Sequence, residues 1–440
     1  MITLSSDELE RAERRLLELV PGGTQLLSKR PEQFAPGQWP RFYQRAKGAR
    51  VWDVVGREFL DMSTSGIGTC TLGFANDEVD AAVHQAVDRG SMTTLNCAED
   101  LELAELLIEL HPWADMVRYA RTGGEAMTVA VRLARAATGR SLVAFCGYHG
   151  WHDWYLAANL AGSAELDGHL LPGLEPLGVP RELVGTAVPF RYNRLEDLEE
   201  IVRSRGSELA AVVMEPVRGS APEPGFLEGV RDLAHSAGAV LVFDEVTSGL
   251  RLNTGGVHLT YGVDPDVAVF AKALANGFPM AAIIGVESVM ETAQRSFVSS
   301  SYWTELVGPV AAIATLTLHR QLDVGRRLAE LGDRVQQGWL DAAARAGIGV
   351  SVSGIPPLSH LAFHDEPQAT ATLFTQELLD RGFLAGRSFY ASFAHTDEDI
   401  DAYLDAVDDV FETLAASLAS GTVTQRLRGP VAQTGFTRLT

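Results

Sequence analysis

Between residues 115 and 290 the chain repeatedly interrupts helical patterns with short apolar runs, "LVAFC", "LAAVVM", "AVLVF", "VAVFA" and "AAIIG", and no other feature constrains the fold as strongly. These runs are too short for buried helices and lack the alternation of half-exposed strands, so each reads as a strand covered on both faces. The intervening patterns, such as "LEDLEEIVRSRG" and "FLEGVRDLAHSAG", close on glycine, which readily adopts the left-handed turn that ends a helix. Strands and helices in this alternation build an α/β fold with a mainly parallel sheet flanked by helices. From about residue 311 the pattern changes to long helices around a few short strands, as in a smaller α+β domain. The expected organisation is a large domain over 66–310 and a small domain built from 311–425, joined by the N-terminal segment 1–65. Residues 426–440 would form a tail, either loose or laid as an arm against a neighbour.

A length of 440 residues supports two or three domains, and 46% hydrophobic with 21% charged residues is ordinary for a globular chain. The formal charge of −21 argues against nucleic acid and anionic membranes as partners, since both demand a basic face. Cys70, Cys97 and Cys146 are widely spaced and form no CxxC pattern, so neither a disulfide framework nor a zinc site is expected. The first residues read as a helix with Ser5 and Glu8 in capping-box spacing, stopped by Pro21, Gly22 and Gly23. They do not resemble a signal peptide, and no apolar run reaches the ~18 residues of a membrane span. A cytoplasmic location is expected.

The residues just beyond each apolar run are chemically unusual. "LVAFC" leads to Gly147, Tyr148 and His149; "LAAVVM" to Glu215; "AVLVF" to Asp244 and Glu245; "VAVFA" to Lys272. The carboxyl ends of strands in an open parallel sheet line one crevice, where ligands bind. An aromatic ring, carboxylates and a lysine should therefore meet there. In "RTGGEAMTVAVRLARAATGR", Thr122, Gly123 and Gly124 immediately precede a helix beginning near Glu125. Free amides at such a start attract anions, and glycines let a phosphate approach. An amine, an acid, an aromatic ring and a phosphate cradle are the requirements of pyridoxal phosphate. Lys272 would form the Schiff base, Asp244 would pair with the protonated ring nitrogen, and Tyr148 and Val246 would cover the two ring faces. At ~4 Å and an effective dielectric of ~20, the acid's attraction for the ring nitrogen is about 4 kcal/mol.

Each residue also has a plainer explanation. A lysine after an apolar run usually ends a strand in solvent, Asp244 could cap a turn, and Glu215 before Pro216 could simply terminate a strand. Glycines before a helix often serve only the turn. His149 and His152 lack an identifiable third metal ligand, so hydrogen-bonding or packing roles are preferred to a metal pair. "GIGTCTLG" at 66–73 is not a dinucleotide fingerprint. Trp151 and Trp154 read as core or interface residues, with a sugar floor as the alternative. The segment 162–186, rich in glycine and proline, is too long for an ordinary connection and reads as a functional loop over a site.

Taken in order, the motifs "RTGGEA", "YHGWHD", "EPV", "FDEV", "AKALANGFPMAA" and "TELVGP" give a chain that resembles the class III (ω-type) aminotransferases of pyridoxal phosphate fold type I. The likeness is most evident with the group around glutamate-1-semialdehyde 2,1-aminomutase, and it runs from about residue 21 to 400. It implies that Lys272 carries the cofactor, that Asp244 binds the pyridine nitrogen and that Tyr148 stacks on the ring. It also implies that Thr304 reaches the phosphate of the other subunit's cofactor, hence a homodimer with shared active sites. Thr122, Gly123, Gly124, Glu215 and Val246 complete the expected cofactor contacts.

Two departures lie on the substrate side. Where the aminomutase group has an arginine for the substrate carboxylate, this chain reads "TQLLSKRP", with Lys29 and Arg30 nearby; lysine does not reproduce arginine's bidentate fork. Where that group has a gating glutamate, "GRSFYASF" places Tyr390, with Arg387 in the same segment as another candidate for a carboxylate. The expected activity is transfer of an amino group from a small-molecule donor to a keto or aldehyde acceptor, sugar-like or from secondary metabolism. Intramolecular amine transfer of the aminomutase type is the alternative. A non-catalytic role is disfavoured because Lys272 and Asp244 are both present.

Overall fold

A computed structural model describes residues 3–162, 164–169, 173–217 and 219–434. Its contacts divide the chain into two compact units, one running from Asp77 to Arg326 and the other formed by the residues up to Asn76 and from Arg327 onward. No helix among the described residues is long and apolar enough to cross a membrane.

The unit from Asp77 to Arg326 is built on a seven-stranded sheet. Strands Met116–Ala120, Ala281–Gly285, Val267–Phe270, Val240–Asp244, Leu209–Met214, Leu142–Cys146 and Ala187–Pro189 lie side by side in that order. The last five are mutually parallel, whereas Ala281–Gly285 is antiparallel to both neighbours. All five apolar runs are strands, and every residue of Leu142–Cys146, Leu209–Met214 and Val240–Asp244 is buried. Alternate side chains serve two layers, as the period of a strand requires. Phe145, Val213, Val242 and Val269 pack with Ala126, Ala130 and Leu133 of helix Gly123–Thr138. Ala144, Val212, Leu241 and Phe243 pack with Leu198, Val230 and Ala234 from helices Leu195–Arg205 and Phe226–Ser236. Each buried aliphatic or aromatic side chain contributes about 1.5–3 kcal/mol, so the sheet is a rigid platform. Its register sets Cys146 opposite Met214, Met214 opposite Phe243, and Asp244 opposite Val269, which aligns the strand ends that lead into the site.

The other unit is the small α+β part. Strands Tyr43–Lys47, Arg50–Asp53 and Glu58–Met62 form an antiparallel meander, which Phe383–Ala385 extends in parallel. Val350–Ser353, Leu358–Phe363 and Ser388–Tyr390 make a three-stranded antiparallel sheet. Helices Ser6–Leu19, Pro367–Asp380 and Asp397–Ala419 belong here, and the first has the expected Ser5–Glu8 capping box.

The end of the chain differs from expectation. Residues 423–434 are not loose: they are strapped along helix Pro367–Asp380. Arg428 pairs with both oxygens of Asp380 at 2.6 and 2.7 Å, Gln376 donates to the Arg426 carbonyl, and the Ala432 amide donates to Thr372. Val423 and Ala432 are buried. The physical reason is a row of polar side chains on an otherwise buried helix, whose hydrogen-bonding capacity the strap satisfies. Residues 435–440 of the tail lie outside the described residues.

Candidate active site

The turn after Leu142–Cys146 is fixed from several directions. Gly147 has φ +126°, and a Cβ there would stand 2.6 Å from Oε2 of Glu215, so only glycine fits. The Tyr148 amide donates to the same Oε2 at 3.0 Å, and the Glu215 amide donates to the Cys146 carbonyl. Glu215 thus ties two neighbouring strand ends together. Behind the turn, the Tyr155 hydroxyl donates to the Gly147 carbonyl at 2.8 Å and the Gly147 amide donates to Nδ1 of His169. The described part of 162–186 supplies this support: Leu166 and Leu174 are buried in the core, with Asn159 bonded to both backbones. Ser163 and residues 170–172 of that segment lie outside the described residues.

Asp244 is 3% exposed and His149 1%. His149 Nδ1 lies 2.8 Å from Oδ2 of Asp244, and the Val246 amide donates to Oδ1 at 3.0 Å. A carboxylate only accepts, so the hydrogen bond itself assigns the proton to Nδ1. Trp154, also buried, stacks on the imidazole at 6.0 Å and fixes its plane. Each oxygen of Asp244 has a lone pair left for a further donor.

Lys272 follows strand Val267–Phe270 with φ +47°, a left-handed conformation that costs a non-glycine residue on the order of 1–3 kcal/mol. Its Nζ donates to Oγ1 of Thr247 at 2.8 Å. Burial, and after it the charge of Arg251, pulls the ammonium below its ordinary range, against the opposing pull of Glu215 and Asp244. Burial, followed by the nearby Asp244 and Glu215, pushes the Tyr148 phenol upward.

Helix Gly123–Thr138 begins two residues earlier than the sequence suggests. Its N-cap is a capping box: Thr122 Oγ1 accepts from the Glu125 amide, and the Glu125 carboxylate accepts from the Thr122 amide at 3.0 Å. The Thr122 hydroxyl is therefore engaged in the cap, while the amides of Gly123 and Gly124 have no partner inside the helix. A Cβ on Gly123 would meet Cγ1 of Val246 at 2.9 Å, and one on Gly124 would meet His152 at 3.2 Å. The glycines keep this approach open. Val246 is thereby placed against the helix start as well as beside Asp244. Thr304 stands apart from this network, on an exposed turn with its hydroxyl donated to the Ser301 carbonyl at 2.9 Å.

Sequence reading missed the clamp behind the site. Glu245 is buried and accepts from Nδ1 of His258 at 2.8 Å and from Ser248 at 2.5 Å, while Trp113 donates to Nε2 of His258. Burial works against the Glu245 carboxylate, yet the bonds from His258 and Ser248 hold it below its usual range. His111 accepts from the Gly256 amide, and His319 donates to the Leu250 carbonyl and accepts from Thr254. Together these side chains immobilise the loop that carries Val246 and Thr247. The signal was present as acid and histidines in apolar surroundings, but nothing local to the sequence says which of them meet. No group of three metal-capable side chains is found among the described residues.

The fold brings a lysine amine and a buried, histidine-bonded acid to the neighbouring ends of two parallel strands of one sheet. The sequence matches the family Aminotransferase class-III over residues 34–411. It is 33% identical over 419 residues to a 3-aminobutyryl-CoA aminotransferase of Cloacimonas acidaminovorans, covering 90% of this chain and 94% of that one. It is 35% identical over 437 residues to a glutamate-1-semialdehyde 2,1-aminomutase of Desulforamulus reducens, covering 93% and 98%. Among solved structures, the FumI protein of Sphingopyxis sp. MTA144, in a PLP internal aldimine form, superposes with a TM-score of 0.85 at 25% identity, covering 94% of this chain and 98% of that one. The chain belongs to the class-III aminotransferases. An aminotransferase and an aminomutase match at similar identity, so the narrower likeness to the aminomutase group is not singled out.

Proposed function

We propose that this protein is a pyridoxal phosphate-dependent aminotransferase that moves an amino group from a small-molecule donor to a keto or aldehyde acceptor. The observation that carries the reading is the meeting, at adjacent strand ends, of a partly buried amine with Asp244, an acid already oriented by His149. The residues fit the cofactor. Asp244 retains lone pairs for a ring N–H, Gly123 and Gly124 leave room and amides for a phosphate, and Lys272 is a partly buried amine of lowered basicity. Bound there, pyridoxal phosphate supplies an aldehyde that condenses with amines and a ring that withdraws electrons from the carbon losing its proton.

In this reading Asp244 keeps the proton on the ring nitrogen, and His149, donating from Nδ1, keeps the Asp244 carboxylate in place. Tyr148 and Val246 would hold the ring between them and exclude water from its faces, while Glu215 fixes the backbone that presents Tyr148. The amides of Gly123 and Gly124 bind the phosphate, with Thr122 serving through the cap it forms. Lys272 would hold the cofactor covalently and, as a free amine, would move a proton at the substrate carbon that bears nitrogen. Thr304 of the partner subunit completes the phosphate site in a homodimer, a role its exposed position leaves it free to take. A cytoplasmic location belongs to the same reading.

The acceptor is assigned to sugar-like or secondary-metabolite carbonyl compounds, because Lys29 and Tyr390 stand where the aminomutase group handles a carboxylate. Intramolecular amine transfer is the second reading, favoured by the 35% identity to an aminomutase. To separate the two, the loaded enzyme is given single amino donors without acceptor, and the keto product is measured by mass spectrometry. Transferase activity yields one keto product per site from a simple amino acid. Rearrangement of a diamino compound or amino aldehyde, with no response to any simple donor, would establish the mutase instead.

A further inference from the structure

The bond from Lys272 to Thr247 has no part in the roles assigned above. Among the described residues it is the only hydrogen bond made by the Lys272 amine. Thr247 also uses its carbonyl, which accepts from Nε of Arg251 at 3.0 Å, and Arg251 is 1% exposed. One residue therefore grips two basic side chains. The loop that presents it is stiff: the Gly249 amide donates to the Glu245 carbonyl, and Leu250, at φ +61°, is locked by its bonds to Gly255 and His319. Threonine is β-branched and has few side-chain conformations, so Oγ1 on this loop has a fixed direction.

We propose that Thr247 is a positioning residue: its hydroxyl holds the Lys272 amine whenever that amine is free, and its carbonyl fixes the Arg251 guanidinium on the same short stretch of loop. A free lysine has a flexible four-carbon stem, and each attack on an aldehyde or acidic carbon requires its nitrogen at one place. A carboxylate in that position would hold the amine as ammonium, which is not a nucleophile. A hydroxyl holds it without adding negative charge, and the Arg251 cation disfavours a second positive charge nearby. The lowered basicity of Lys272, caused by burial and then by Arg251, agrees with this arrangement.

The inference rests on the pyridoxal phosphate reading and is tested on the apoprotein with Thr247→Val, which preserves shape, and Thr247→Ser, which restores the hydroxyl. Two quantities are measured. One is the rate at which added pyridoxal phosphate is captured covalently, followed by growth of visible absorbance. The other is the calorimetric affinity for pyridoxamine phosphate, which has no aldehyde to bond with lysine. Thr247→Val should slow capture about tenfold while leaving pyridoxamine phosphate affinity within about twofold, and Thr247→Ser should recover most of the rate. Capture at the wild-type rate in Thr247→Val overturns the proposal, as does an equal loss of capture and of pyridoxamine phosphate binding. Failure of the underlying reading looks different, because wild-type protein would then develop no visible band at all.

Discussion

His149 donates from Nδ1 to Oδ2 of Asp244 across 2.8 Å, with both side chains almost fully buried and Trp154 stacked on the imidazole. His149 Nε2 is buried too, with no hydrogen-bond partner among the described residues. The imidazole thus acts on one neighbour, and that neighbour is the acid proposed to face the cofactor ring. Asp244→Asn removes the charge, and a loss of about 4 kcal/mol predicts a kcat lower by roughly a thousandfold. His149→Asn leaves the charge but loosens the carboxylate, so kcat should fall about 10- to 100-fold with little change in KM for either substrate. Steady-state kinetics of the two variants checks the order. Equal activity of His149→Asn and wild type would reduce the histidine to a packing residue.

Gly123 offers a steric test of the phosphate end. Its Cβ would lie 2.9 and 3.2 Å from the two methyl carbons of Val246, so Gly123→Ala forces Val246 away from the helix start. Overpacking of this kind costs about 1–3 kcal/mol, here in cofactor affinity, a loss of roughly 5- to 150-fold. Shortening the opposing side chain in Gly123→Ala/Val246→Ala should restore a large share of it. The double-mutant cycle is read by cofactor titration. If Gly123→Ala and Val246→Ala are additive, the clash is not what limits binding.

The strands were legible because buried parallel strands leave continuous apolar runs, and the strand-end residues were legible because topology sends every parallel strand's carboxyl end to one edge. Thr122 was only half legible. Its position before two glycines marks a helix start, but the return of Glu125 to cap that start competes for the same hydroxyl and is decided by geometry. Thr247 carried no signal at all, since a threonine three residues past an aspartate is ordinary. His111, His258 and His319 come from elements far apart in the chain, and their meeting behind the loop depends on how the helices pack. The strap at 423–434 was illegible for the same reason: Arg428 finds Asp380, and the Arg426 carbonyl and Ala432 amide find Gln376 and Thr372 of a polar helix face.

The buried imidazoles give the protein an acid-sensitive component. Burial lowers both His111 and His319 to about 4 from an ordinary 6.5, and the bonds from Gly256 and Thr254 occupy one ring nitrogen of each as an acceptor. A depressed histidine contributes stability that is fully present above the unfolded value and is lost as pH falls through the window from 6.5 to about 4, where only the unfolded state binds the proton. By about pH 5 the loss is on the order of 2 kcal/mol per histidine. Urea unfolding of the apoprotein at about pH 8 and about pH 5 should show it, and His319→Gln should flatten the dependence while costing stability at the higher pH. An unchanged pH slope in His319→Gln would mean that the imidazole is protonated in the native state.

Lys272 adds a dependence of the same sign, because its ammonium is what burial penalises. With its native pKa lowered from 10.5, the group is partly deprotonated in the fold at pH values where the unfolded chain still holds the proton. Stability from this residue therefore rises as pH increases through the depressed native value and levels off above the unfolded one. Lys272→Met removes the buried charge and relieves the burial cost, though the left-handed backbone at φ +47° stays equally unfavourable for methionine. The apoprotein of Lys272→Met should accordingly be more stable than wild type by on the order of 1 kcal/mol at neutral pH, with the difference shrinking toward alkaline pH. The same variant should bind pyridoxal phosphate without fixing its mass to the peptide containing residue 272 after borohydride treatment. Denaturation midpoints against pH, together with peptide mass spectrometry, check both halves. A variant less stable than wild type at every pH would show that the lysine is held mainly for structure, since a residue kept for its chemistry is expected to weaken the fold that holds it.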